Sequence, residues 1–325
     1  MIAVRVHGFG QPLSVEQVAP PLPEGGDVTV EVLAASVNPL DLWVCQGSVA
    51  GGNQKLPMVP GCEGVGMVGG RPHLVHGCGV GVTRDGLYAE YATVPRAALF
   101  ELPAGIDPLQ AATLGVAGAT AVRLVDDIGG CRPDSTVLVL GASGGVGTVA
   151  VQLAKARGAY VIAHTSHVEK VGHLRQLGAD RVVAAEAQEL AEQADLACDV
   201  VLDPLGGQYS AAAATLVKPY GRHVVYGTSN SPMCEFPMRQ FYRKSASLLT
   251  YSGTIEPPAV VSRAIGRAFE ALAAGYFKVV FDRVLELSQA QLAHELIRSG
   301  QVVGKIVLTT SALPVPHKGQ GGDIV

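Results

Sequence analysis

The chain has little charge, no closely spaced cysteines and no long apolar run. Asp, Glu, Lys and Arg make up 16% of its 325 residues, with 24 basic and 28 acidic side chains and a formal net charge of −4. That balance supplies no general attraction to nucleic acid or to an anionic membrane surface, so neither is expected as a partner. No apolar stretch approaches the roughly 18 residues that would suggest a membrane-spanning helix. The start, "MIAVRVHGFGQPLSVEQV", enters strand-like alternation without a signal-peptide pattern, and the expected location is cytoplasmic. The six cysteines include no C-x-x-C pair, and the closest two, Cys62 and Cys78, stand 16 positions apart. This excludes a zinc knuckle or compact disulfide framework and leaves free thiols as the simple expectation. There is no internal repeat.

What is present changes texture along the chain. Residues 1–100 hold short Val-rich runs broken by Gly and Pro, such as "GDVTVEVLAASVN" and "GLYAEYATVP", which predict a barrel-like β domain. From Asp107, a plausible N-cap before Pro108, "DPLQAATLGVAGATAVRLVDDIG" has helical spacing. Strands and helices then alternate, which predicts a parallel sheet. "TVLVLG" precedes a helix over 145–157, "YVIAHT" one over 168–177, and "DVVLDPLGG" one over 208–217. A long helical segment, "PPAVVSRAIGRAFEALAAGYF", leads back to strand texture in "GKIVLTT", and the Pro/Gly-rich tail is expected to fray.

Ala142, Gly144 and Gly147 occupy the positions of G-x-G-x-x-G, between a continuous apolar strand and an Ala-rich helix. Gly144 lets the backbone approach a pyrophosphate, and Gly147 lets the helix pack against the strand. The first helical N–H groups offer the phosphates donors and partial positive charge. Residues Ala142, Ser143, Gly144, Gly145, Val146 and Gly147 are therefore candidates for holding a dinucleotide. The alternative is a tight turn without a ligand. No Asp or Glu stands between Gly147 and Glu169, where an NAD-preferring site would carry a carboxylate for the ribose hydroxyls. The second strand instead runs into Thr165, Ser166 and, shortly after, Lys170. Hydroxyls plus a cation suit a 2′-phosphate, which makes NADPH the expected cofactor. The plainer alternative leaves Lys170 as a solvated helix residue.

These stretches resemble the medium-chain dehydrogenase/reductase superfamily, in its zinc-independent quinone-oxidoreductase and enoyl-reductase branch. "AASVNPLDLW", "VPGCEGVGMV", "VLVLGASGGVGTVAVQLAKARGAYVIAHTS", "LRQLGADRVV" and "VVGKIVL" carry the likeness in the right order, from residue 1 to about 310. The resemblance implies an α/β protein of two domains. One is a GroES-like β-barrel catalytic domain (1–122 and 263–325), to which the C-terminal strands return. The other is a Rossmann doubly wound parallel-sheet domain (123–262) that binds NADPH, with the active site in the cleft between them and often a homodimeric assembly. It also implies a nicotinamide-side role for Thr120, while Gly227 and Thr228, ending "HVVYGTS", are cofactor candidates because they stand at the carboxyl end of a sheet strand, where ligands bind in open α/β folds. It further brings Asp41, Glu63 and Lys305 together in an ion-pair network, with Lys305 able to face the pyrophosphate.

In zinc-dependent members a Cys and a His supply two ligands at positions that here read Asn38 and Cys62, within "NPLD" and "CE". A catalytic zinc needs three N, S or O ligands, and a chance set from Cys62, Glu63 and His73 or His76 is not expected. Without a Lewis acid, nothing would stabilise the alkoxide of an unactivated alcohol. A conjugated acceptor is easier, because hydride adds to an electron-poor carbon and charge moves to a carbonyl oxygen that hydrogen bonds can stabilise. Quinones and α,β-unsaturated carbonyls are therefore the expected substrates.

Asn38 is the first candidate catalytic residue, placed to donate to a substrate carbonyl or hold a nicotinamide ribose; its alternative is a turn residue before Pro39. Asp41 is expected to be structural more than chemical. Trp43, the single tryptophan, stands where many relatives carry a tyrosine. Its indole can donate a hydrogen bond but cannot give up its proton, so stacking beside substrate or nicotinamide is the expected use. Neither His73 nor His76 is given a role. Two other functions stay open: an enoyl-thioester reductase of a polyketide or fatty-acid pathway, and a non-catalytic, crystallin-like NADPH-binding protein.

Overall fold

A computed structural model describes residues 1–49, 54–193, 195–313 and 315. The chain forms two compact units, one of Met1–Ala117, Pro257–Phe269 and Val279–Val325, the other of Gly118–Glu256 and Glu270–Lys278.

The first unit is mostly antiparallel sheet. Its strands are β1 (Ile2–Arg5), β2 (Ser14–Gln17), β3 (Val28–Val37), β4 (Glu63–Val68), β5 (Arg71–His76), β6 (Tyr91–Val94) and β7 (Leu99–Glu101). Two late strands, β14 (Phe281–Glu286) and β15 (Lys305–Thr309), join them in the order β14-β15-β3-β4-β5-β7, with β6 pairing β3. β3 is the hub. In its first half Val30 and Val32 point into the core while Thr29 and Glu31 do not, the alternation of a half-covered strand. Its last four residues are buried, because β15 covers them in antiparallel register from Ile306↔Val37 to Thr309↔Ala34. Val30, Val32, Val75, Leu87, Tyr88, Ile306 and Leu308 form the centre of that core. Burying each large apolar side chain contributes about 1.5–3 kcal/mol.

The second unit holds a wholly parallel sheet. β8 (Thr136–Val139), β9 (Tyr160–Thr165), β10 (Arg181–Ala184), β11 (Cys198–Asp203), β12 (Val217–Val225) and β13 (Ser247–Thr250) take the order β10-β9-β8-β11-β12-β13. This is the doubly wound arrangement, and the strand order reverses between β8 and β11, where such sheets bind ligands. Val137, Leu138, Val139 and Leu140 are all fully buried, which explains an apolar run without alternation. The helix after β8 spans Gly145–Ala156 and that after β11 spans Gly207–Leu216. After β9 a 3₁₀ turn, Val168–Lys170, leads into a short helix, Val171–Gln176.

The segment from Asp107 is not the single helix its spacing suggests. Asp107 caps Pro108–Ala111 by accepting from Gln110 N, but π-helical stretches follow at Leu114–Gly118 and Arg123–Ile128, around Ala119–Val122. One cause is visible: the Val116 N–H is taken by the Glu63 carboxylate at 2.7 Å. That side chain competes with the backbone acceptor an α-helix would use.

Candidate functional site

The nucleotide end of the second unit is built from its glycine turn upward. Ala142 N donates to His164 O at 2.9 Å, which ties the turn to β9. Gly144 then caps the helix in extended conformation, without a side chain satisfying the first N–H groups and with no acidic residue in the first turn. The earliest donor of the helix ladder is Thr148 N, bonded to Gly144 O at 2.9 Å. The preceding N–H groups of Gly145, Val146 and Gly147 are those left over at any helix start, and they suit an anion. A Cβ on Gly147 would lie 2.5 Å from Gly141 O and 2.7 Å from Ala142 Cα, so only glycine lets this helix sit against its strand. At Gly144 a Cβ would meet nothing nearer than Gly141 O at 3.4 Å, so the backbone faces room for a ligand. The residues present fit a pyrophosphate. Ala142 and Ser143 are buried beneath the turn.

At the carboxyl end of β9, Thr165 is buried and its hydroxyl accepts from His167 N at 3.2 Å. Ser166 is exposed, whereas Lys170 is only 4% exposed, so Lys170 is not a solvated helix residue. Two residues that sequence reasoning missed lie at this end of β9. Tyr209 donates to Glu186 Oε2 at 2.6 Å, and its ring lies 5.3 Å from that of His164. Burial, then the bond to Glu186, pushes Tyr209 up to about 12. The parallel register Ala184↔Thr165 brings Glu186 to this corner, and nothing in the sequence discloses that register.

Gly227 and Thr228 follow β12 at the same end of the sheet. A Cβ on Gly227 would lie 2.7 Å from Pro204 O, and Ser229 N donates to that carbonyl at 3.0 Å, so the turns after β11 and β12 are joined. Asp203, fully buried and unassigned in the sequence reading, anchors this corner. It accepts from Leu205 N, Gly206 N and His223 Nε2 at 2.8, 3.2 and 2.9 Å, and from the Ser210 hydroxyl. Burial alone would raise its carboxyl, but the hydrogen bond and charge of His223 together with the other donors hold it below the ordinary range. Thr120 is buried within Ala119–Val122.

The first unit gathers Asn38, Asp41, Glu63 and Lys305. Asn38 precedes the helix Pro39–Cys45, and its backbone N–H donates to Asp41 Oδ2 at 2.8 Å. Its side chain donates to Glu63 Oε1 at 2.9 Å and Ser36 O at 3.3 Å and accepts from Lys305 Nζ at 2.6 Å. With 3% exposure, the carboxamide is committed within the protein, which differs from the expected donation to a substrate carbonyl. Lys305 also donates to Val37 O at 3.1 Å and Glu63 Oε1 at 3.3 Å. Its three N–H bonds thus all have acceptors in the cluster, leaving none for a pyrophosphate. The expected Glu63–Lys305 pair is present, but Asp41 is not hydrogen-bonded to Lys305.

Asp41, fully buried, instead accepts from Cys62 N at 2.9 Å and Tyr88 OH at 3.3 Å. Burial pushes it up to about 6, against the opposing bonds from Asn38 and Cys62. Tyr88 in turn meets His294 Nε2 at 3.4 Å, and burial holds His294 neutral, down to about 4. Cys62 is buried, and burial raises its thiol well above the ordinary range. His76 lies against Cys62 O at 3.2 Å, and His73 against Arg71 O at 3.0 Å. Of the three catalytic candidates only Trp43, half-buried, keeps exposed surface. Among the described residues, no three His, Cys, Asp or Glu side chains are grouped to hold a metal ion.

A GroES-like first unit and a doubly wound second unit with a dinucleotide turn define a dehydrogenase/reductase architecture. Residues 24–104 match the alcohol dehydrogenase GroES-like domain family and residues 177–308 match the zinc-binding dehydrogenase family. The synaptic vesicle membrane protein VAT-1 homolog of Mus musculus is 33% identical over 67% of this chain, which spans 56% of that protein's length. The quinone oxidoreductase of Sus scrofa is 29% identical, with 95% of this chain and 97% of that protein covered. Among solved structures, the quinone oxidoreductase of Thermus thermophilus, also solved with NADPH, has a TM-score of 0.82 at 29% identity, covering 95% and 100% of the two chains. The chain belongs to the medium-chain dehydrogenase/reductase superfamily, in its zinc-independent quinone oxidoreductase branch. No described helix is long and apolar enough to cross a membrane.

Proposed function

We propose that the protein is an NADPH-dependent, zinc-independent reductase that transfers hydride to quinones or α,β-unsaturated carbonyls, working as a homodimer in the cytoplasm. The observation that carries this reading is the turn at Gly141–Gly147, which opens uncommitted helix N–H groups and the bare backbone of Gly144 to an anion. NADPH, when bound, supplies the hydride. Gly144, Gly145, Val146 and Gly147 hold its pyrophosphate, and Thr165, Ser166 and Lys170 form the 2′-phosphate end. Gly227 and Thr228, at the carboxyl end of the same sheet, border the nicotinamide half. The quinone oxidoreductase of Thermus thermophilus, solved with NADPH, supports the same choice.

The acceptor follows from the side chains at the two ligand positions. Asn38 and Cys62 stand there, and Asn38 is spent on Glu63 and Lys305. Substrates whose developing charge delocalises onto a carbonyl oxygen therefore suit the site. Hydride plus one proton converts a quinone to its hydroquinone or an enone to the saturated ketone. Trp43 packs against the flat acceptor, and its indole cannot supply that proton, which comes from solvent.

The test is turnover by purified protein with NADPH or NADH and 1,4-benzoquinone or crotonyl-CoA, alongside metal analysis and light scattering for the dimer. Quinone reduction preferring NADPH is expected. Stoichiometric zinc with alcohol oxidation by NAD would overturn the reading, and crotonyl-CoA turnover without quinone turnover would move it to enoyl thioesters.

A further inference from the structure

Tyr226 follows β12 and carries a phenol that its neighbours leave unpaired. Its ring is half-buried, its hydroxyl is fully buried, and that hydroxyl has no hydrogen-bond partner among the described residues. Burial pushes the phenol well above its ordinary range, so it stays protonated and acts as a donor. A buried donor without an acceptor is a cost to the fold, and such groups mark places where a ligand supplies the missing partner.

Strand register fixes where this donor stands. Val139, Leu202 and Val224 lie side by side on β8, β11 and β12. Two residues on, Gly141, Pro204 and Tyr226 share a level, and Tyr226 N donates to Asp203 O at 2.8 Å, continuing the ladder. Tyr226 is therefore level with the dinucleotide turn and two strands away, about 10 Å at the spacing of a sheet. Arg222, four residues earlier and so on the same face, donates to Ile128 O and Gly129 O at 3.0 and 3.1 Å. Arg157, at the end of the helix Gly145–Ala156, bonds Asp126 beside them at 2.8 Å. The phenol thus stands on the sheet face that carries the phosphate-binding helix, whereas His223 turns to Asp203 on the other face. With the 2′-phosphate end at β9, on one side of β8, the nicotinamide half must run to the other side, over β11 towards β12.

We infer that the Tyr226 hydroxyl is a cofactor-binding donor that completes its hydrogen bond on the nicotinamide carboxamide oxygen. This deepens the NADPH reading above and rests on it. The carboxamide, at the far end of the cofactor, suits a donor two strands from the turn better than the ribose hydroxyls beside the pyrophosphate. Both NADPH and NADH carry that carboxamide, so Tyr226 serves them equally.

Tyr226→Phe removes one oxygen and keeps the ring. It should weaken NADPH and NADH alike, raising each Kd roughly three- to tenfold by cofactor fluorescence, the worth of one hydrogen bond. Binding of 2′-phospho-ADP-ribose, which lacks the nicotinamide, should stay within about twofold by calorimetry. Without cofactor the variant should melt no lower than the wild type, because the lost hydroxyl had no partner among the described residues. A lower melting temperature, an unchanged Kd for NADPH, or equal weakening of the fragment would each overturn the inference while leaving the function intact. Absence of NADPH binding by the wild type would overturn both.

Discussion

Replacing Lys305 with methionine removes a cation but keeps much of its aliphatic length. Lys305 is 4% exposed and Glu63 fully buried, so the substitution strands a carboxylate away from water. It also empties three hydrogen bonds, from Nζ to Val37 O, Asn38 Oδ1 and Glu63 Oε1. Breaking a buried pair by removing one partner costs about 3–5 kcal/mol, well above the 0–1 kcal/mol of a surface pair. At roughly 2–4 °C per kcal/mol, this lowers the melting temperature by on the order of 10 °C. The companion variant, Lys305→Met with Glu63→Gln, leaves no unpaired charge and is expected to recover at least about 1 kcal/mol relative to the sum of the single losses. The assay is urea unfolding of the four proteins without cofactor, followed by circular dichroism. A Lys305→Met cost below about 1 kcal/mol, or strict additivity in the cycle, would refute this account of the cluster.

Gly144→Ala has space for its Cβ and should leave the melting temperature unchanged while weakening NADPH binding about tenfold or more. Gly147→Ala, pressed to 2.5 Å from a carbonyl, should destabilise the second unit as well. Calorimetry with and without NADPH distinguishes the two. Asp41, raised to about 6 from 3.8, favours folding in its neutral form, so its contribution is present below about pH 4 and is lost as pH rises through 6. His294, lowered to about 4 from 6.5, does the reverse: its contribution is present above pH 6.5 and is lost as pH falls through 4. Each amounts to about 3 kcal/mol. Between pH 4 and 6.5, Asp41→Asn should therefore steepen the acid loss of stability measured by urea unfolding, and His294→Gln should flatten it. Lys170→Ala should raise the KM for NADPH far more than that for NADH, and equal effects would sink its assignment to the 2′-phosphate.

Local features were legible in advance. The glycine turn and the Asp107 cap depend on neighbours within a few positions, so spacing alone discloses them. The Glu63–Lys305 pair came from resemblance, because 242 positions separate the partners. What escaped was the use of each group. Asn38 was read as facing a substrate, but its amide lies between two buried charges that spacing cannot place beside it. Tyr88 and His294, 206 positions apart, carry no motif. Glu186 and Tyr209, 23 positions apart, carry no motif either. The long helix from Asp107 failed for a related reason, since its broken ladder depends on a carboxylate from β4.

The pairing of β15 with β3 also sets a timetable for the growing chain. Val37 and Lys305 are 268 positions apart, so at about 5–20 residues per second the first waits tens of seconds for the second. Throughout that wait the nascent first unit presents an open strand edge beside an acid that has no counter-ion. The six strands of the second unit, from Thr136 to Thr250, are meanwhile translated as one uninterrupted block and can close first. Chaperones that shield β3 during synthesis, and a chain arrested before Lys305, are where this order of events would leave its mark.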